Sequence, residues 1–155
     1  MQFTNYFLAS IISFSGLAIG MLLVKIAPEE QKPLKKYFSL LGKLILFLIF
    51  IFLLPYYLNS KLNLAIMAAC FLFLSLVEYK IHDLPRKSAI SYAALGVLFF
   101  LSSKNTNLFT IESSLILLYG LPAASLLHSK KGRNQYKFLY YNSLFIITAN
   151  ILFFI

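Results

Sequence analysis

Charge is what this chain has least of. Only 12% of its 155 residues are charged, against about a quarter in a soluble domain. Five are acids: Glu29, Glu30, Glu78, Asp83 and Glu112. Such scarcity excludes a soluble globular domain. The single cysteine, Cys70, lies inside an apolar run, so no disulfide and no thiolate metal pair can form within the chain. There are two histidines, His82 and His128, and no His-Glu-x-x-His, no glycine-rich phosphate loop and no serine–histidine pair with recognisable spacing. Accordingly, no metal and no cofactor is expected. Ionisable residues are also missing from the middle of the apolar runs, which argues against ion or proton transport through buried charges.

What fills the chain is hydrocarbon. The sequence is 60% hydrophobic and 17% aromatic, with a mean hydropathy of +0.80. Six apolar runs cover about 6–27, 37–58, 62–79, 88–101, 108–127 and 138–155, most of them near the ~20 residues that a helix needs to cross a bilayer. The expected fold is all-α: a polytopic membrane protein with six transmembrane helices in one bundle, the whole of 1–155 forming a single transmembrane domain. Pro28 and Pro33 separate the first two runs, and Gly120-Leu-Pro122 is expected to kink the fifth. Gly16 and Gly20 have the small-xxx-small spacing that lets helix backbones approach. Ser91, Ala93, Ala94 and Gly96 mark the fourth run as one buried among the others.

The formal charge of +9 could point to nucleic acid, but the lysines sit in short loops between apolar runs. Their expected partners are membrane lipids, not nucleic acid. The segments around the ends of runs one, three and five hold Lys25, Lys32, Lys35, Lys36, Lys43, Lys80, Arg86, Lys87, Lys130, Lys131, Arg133 and Lys137; the other side holds only Lys61 and Lys104. The positive-inside rule then puts both termini outside and the three polar loops in the cytoplasm, with the plasma membrane as the expected location.

The polar hairpin Glu78-Tyr-Lys-Ile-His-Asp-Leu-Pro-Arg-Lys87 is the first candidate for a functional surface. Glu29, Glu30 and Asp83 read as balancing charges, whereas Glu78 belongs to a helix end and can point into the bundle. An acid there is unfavourable against the helix dipole unless a cation or donor meets it. The expected partners are Lys137 and Tyr136 at the start of the sixth run, with His82 beyond. His82, Asp83, His128 and Glu78 could be drawn as a metal site, but their spacing matches no metal motif.

Two segments carry a resemblance. Glu78 is followed seven positions later by Pro85 in Leu84-Pro85-Arg86, and two runs later Gly132-Arg-Asn-Gln-Tyr-Lys137 leads into Phe138. The arrangement resembles the type IV prepilin peptidases, membrane aspartyl proteases with one aspartate at the cytoplasmic end of a helix before an Ile-Pro-Asn-like turn. Their second aspartate lies in a Gly-x-Gly-Asp-x-Lys segment. Gly16-Leu-Ala-Ile-Gly20 before a proline-bearing linker is similar to the family's first helix. Gly132 and Lys137 fit the second motif, but Asn134 replaces its second glycine, Gln135 its aspartate, and Glu78 the first aspartate. The family's cysteine-rich cytoplasmic domain has only Pro28–Lys36 in its place.

Three readings follow. The resemblance implies a catalytically silent peptidase-like protein acting as a binding or assembly subunit beside another membrane protein, since an aspartyl dyad needs two carboxyls sharing a proton. A second reading is a small transporter, channel or lipid-handling protein unrelated to proteases. The third, ranked below both, is an active membrane aspartyl-type peptidase using Glu78.

Overall fold

The computed structural model describes residues 2–27, 29, 31–57, 61–81, 83–128 and 135–154, without the side chains of 31, 32, 61, 127, 128 and 135–137. Among the described residues there are seven helices and no strand: α1 Phe3–Ile26, α2 Gln31–Tyr57, α3 Lys61–Lys80, α4 Leu84–Ser102, α5 Thr106–His128, α6 Gln135–Asn142 and α7 Leu144–Phe153. Helices satisfy every backbone group within one segment, which hydrocarbon requires. Five of the seven are long and apolar enough to cross a membrane: Phe3–Ile26, Pro33–Tyr57, Leu62–Lys80, Leu84–Ser102 and Thr106–Leu126. Their outward faces carry residues such as Leu22, Phe47, Leu72 and Leu76, all exposed in the isolated chain. That is the surface of a membrane protein.

Between such helices water supplies no hydrophobic drive, so small residues and interhelical hydrogen bonds set the contacts. The α1–α5 pair shows both. The two helices run parallel: the Ser13 hydroxyl donates to the Ser113 carbonyl at 3.0 Å, Gly16 lies on the backbone of Leu117, and Gly20 faces Ala124. Gly120 in turn lies against the backbone of Gly16 and Leu17. A second tight pair is α4–α7, where a Cβ on Gly96 would lie 3.0 Å from the Phe145 carbonyl oxygen. The Tyr6 hydroxyl ties the two pairs together by donating to the Ala149 carbonyl at 2.8 Å. Around it Phe99, Phe109, Phe145 and Phe153 close one end of the bundle, with ring centroids 4.6–5.4 Å apart along the chain of contacts from Phe153 through Tyr6 and Phe99. Helix α2 packs on α5, and α3 lies at the periphery against α4 and α2.

Several boundaries differ from those read in the sequence. The fourth helix begins at Leu84 rather than Ser88, because Pro85 occupies its first turn, where a missing N–H costs nothing. The polar hairpin is therefore only a three-residue link between two helices. Pro122 lies inside a helix that continues past it to His128. The last run is not one continuous helix. Asn142 Nδ2 donates back to the Phe138 carbonyl at 2.8 Å, and the Ser143 hydroxyl to Tyr140 at 2.7 Å. The helix divides at Ser143, whose own N–H still bonds the Leu139 carbonyl at 3.0 Å, leaving α6 and α7. Asn59 and Ser60, between the second and third apolar runs, lie outside the described residues.

Candidate functional site

The ends of α2, α3, α4 and α5 that carry the polar segments enclose a cleft of about 640 Å³. One wall is the first half of α2, from Pro33 to Leu46; the other is Glu78 at the end of α3 with Leu84, Lys87 and Ser88 at the start of α4. Tyr119, Ala123 and Leu126 of α5 form the floor. The lining divides by chemistry. Lys35, Lys36, Lys43 and Lys87 bring four ammonium groups, and Leu40, Leu46, Leu84, Ala123 and Leu126 supply apolar surface. Against those four cations the lining holds a single carboxylate, that of Glu78.

Glu78 is engaged on both oxygens. Lys87 Nζ lies 2.6 Å from Oε2, and Lys43 Nζ lies 3.6 Å from Oε1. The acid thus links α2, α3 and α4 across the mouth of the cleft. The two contacts are unequal: the Lys87 side chain is 22% exposed and close, whereas that of Lys43 is 59% exposed and only loosely held. Lys35 and Lys36 have no carboxylate within ion-pair distance among the described residues. Gly42 lies beside Lys43, and a Cβ there would make only ordinary contact, with the Tyr119 ring at 3.8 Å and Pro122 at 4.0 Å. Unlike Gly16, Gly20 and Gly120, it is not pressed against a neighbouring backbone. Ser88, buried at the cleft wall, donates to Asn142 Oδ1 at 2.9 Å and fastens α4 to α6.

Among the described residues the partners of Glu78 are Lys43 and Lys87, which the charge distribution alone marks only as orienting residues. The side chains of Lys137, Tyr136, Gln135 and His128, and all of His82 and Gly132, lie outside the described residues. Asp83 precedes α4 and sits 3.6 Å from Arg86, an exposed pair within one turn. Pro85 belongs to the first turn of α4 and does not line the cleft. Among the described residues no three His, Cys, Asp or Glu side chains come together as a metal set. No family model matches the chain, and no curated protein or solved structure is similar to it.

One acid stands apart from this site. Glu112 stands near the start of the fifth apolar run. Because α5 begins at Thr106, the residue falls in the second turn and is wholly buried, with no hydrogen-bond partner among the described residues for either oxygen. The apolar runs therefore do conceal an ionisable side chain. Its signal in the sequence was its position inside, not beside, an apolar segment.

Proposed function

We propose that this chain is a six-span protein of the plasma membrane, both termini outside, that binds an anionic amphiphile in its cytoplasmic cleft. The reading is the lipid-handling one, a binding role without catalysis. One observation carries it: the cleft sets four lysines against a single carboxylate beside an apolar wall and floor. Basic pockets between transmembrane helices on the cytoplasmic side are suited to lipid headgroups, and ~300–1,000 Å³ is the range of ligand sites. A free anion would use the lysines and leave Leu40, Leu46 and Leu126 without a role; an amphiphile uses both. The sixth span in this account is α6 and α7 together, which follow one another with only Ser143 between them.

The reading as a silent relative of prepilin peptidases has less to support it. Glu78 is held by two ammonium groups, whereas a proteolytic dyad needs a second carboxyl, and Gln135 does not supply one.

The test is the lipid that stays with the protein. Wild-type chain purified in mild detergent is expected to retain anionic phospholipid enriched over the membrane extract, by mass spectrometry. Lys35→Gln with Lys36→Gln should lose that enrichment, and Lys104→Gln, a lysine outside the cleft, should keep it. Retained lipid of the same composition as the bulk membrane in all three would overturn the proposal.

A further inference from the structure

We infer that the four lysines of this cleft favour lipids that end in a phosphate monoester over phosphodiester lipids, and that Glu78 sets the size of that preference by holding two of the four ammonium groups. The inference rests on the amphiphile-binding role proposed above. Glu78 already occupies the space between Lys43 and Lys87, so an entering anion competes with a carboxylate for two ammonium groups. A phosphodiester brings one negative charge and two free oxygens, the same as the carboxylate it replaces, and the exchange yields little. A phosphate monoester brings close to two charges and three acceptor oxygens. It can draw away the loosely held Lys43, at 3.6 Å, while Lys87 stays on Glu78 at 2.6 Å. The charge left over is met by Lys35 and Lys36, which face the same cleft. Gly42, next to Lys43 on the α2 wall, carries no side chain into the cleft.

A different account makes Glu78 only a clasp between helices. In that case its removal loosens the cleft for every ligand by one factor and leaves the preference between ligands unchanged. The preference is therefore the quantity to measure.

The experiment is calorimetric titration of the full chain in detergent at pH 8 with dioctanoyl phosphatidic acid, dioctanoyl phosphatidylglycerol and inorganic phosphate. Wild type should prefer phosphatidic acid over phosphatidylglycerol by about tenfold, the effect of roughly one further charge at a partly screened site. Inorganic phosphate should bind far more weakly than either lipid; affinity equal to that of phosphatidic acid would make this a site for phosphate and not for lipid. Glu78→Gln should tighten both lipids, phosphatidic acid the more because it carries the larger charge, and raise the preference by about threefold; Glu78→Asp, which keeps the charge, should leave it as in wild type. Equal wild-type affinity for the two lipids overturns the specificity role even if Glu78→Gln does not fold. So does a preference that Glu78→Gln leaves unchanged or lowers. If neither lipid binds, or Lys35→Gln with Lys36→Gln leaves lipid binding intact, the binding role itself falls and this inference with it.

Discussion

Substituting Gly16 by alanine should separate the two helices at the centre of the bundle. The added methyl would lie 2.7 Å from the carbonyl carbon of Leu117 and 2.9 Å from its Cα, and closer still to the carbonyl oxygen. These are backbone atoms of α5 that cannot rotate aside. To reach ordinary contact, α1 must retreat by roughly 0.7 Å or more, which also stretches the Ser13–Ser113 hydrogen bond next to it. Overpacking of this kind costs about 1–3 kcal/mol. The weakened interhelical hydrogen bond adds about 0.6 kcal/mol. Alanine's better helix propensity returns at most about 1 kcal/mol. The net expectation is a loss of about 1–2.5 kcal/mol. Gly42→Ala is the internal control: its methyl finds only Tyr119 Cε2 at 3.8 Å and Pro122 Cγ at 4.0 Å. That change should be neutral or stabilising by up to about 1 kcal/mol. Unfolding by sodium dodecyl sulfate in mixed micelles, followed by circular dichroism, reads both. If the two variants come out within about 0.5 kcal/mol of each other, the close α1–α5 contact is not what holds the bundle together.

Three further outcomes are expected. Glu112→Met should leave stability unchanged or raise it in the same assay, because it removes a buried carboxyl without a donor; a loss above about 2 kcal/mol would mean that the carboxyl is satisfied in the membrane. Glu78→Ala and Lys87→Ala should show a coupling of about 0.5–1 kcal/mol in a double-mutant cycle, modest because both side chains stay partly exposed. Strict additivity would reduce that pair to proximity alone. Cysteines replacing Ser60 and Lys131 should label from opposite faces of the membrane, with Lys131→Cys cytoplasmic, and labelling from one face would break the topology.

Most of the fold could be read from hydropathy, since a run of about twenty apolar residues has few alternatives to a spanning helix. Gly16 and Gly20 announced a close contact, and Ser91, Ala94 and Gly96 a buried fourth helix; the structure gives both their partners. The ends of the helices were less legible. Pro85 reads as a turn residue, yet a first turn accepts proline, so α4 starts four residues early. The break at Ser143 leaves no mark in hydropathy, because Asn142 and Ser143 are flanked on both sides by apolar or aromatic residues. At the cleft, Glu78 stood out because acids are rare here. Lys43 and Gly42 did not, although a lysine one turn inside an apolar run is an unusual place for a charge. Its meaning depends on α2 lying across from the α3–α4 link, which is a fact of packing. Glu112 lies in the second turn of α5, and its burial depends on which helices pack around that turn, which composition does not give.

The claim that matters most is that a lipid sits in the cleft, and crosslinking locates it directly. A phosphatidic acid carrying a photoreactive diazirine on its acyl chain, illuminated with the protein in nanodiscs, should label peptides around Leu40, Leu46 and Leu126, which line the cleft beside the lysines. An excess of unlabelled phosphatidic acid should abolish that labelling, and Lys35→Gln with Lys36→Gln should weaken it. Labelling spread over the outward faces of α1 and α3, at Leu22, Leu72 and Leu76, and unaffected by competitor, would show an ordinary lipid boundary and contradict the account.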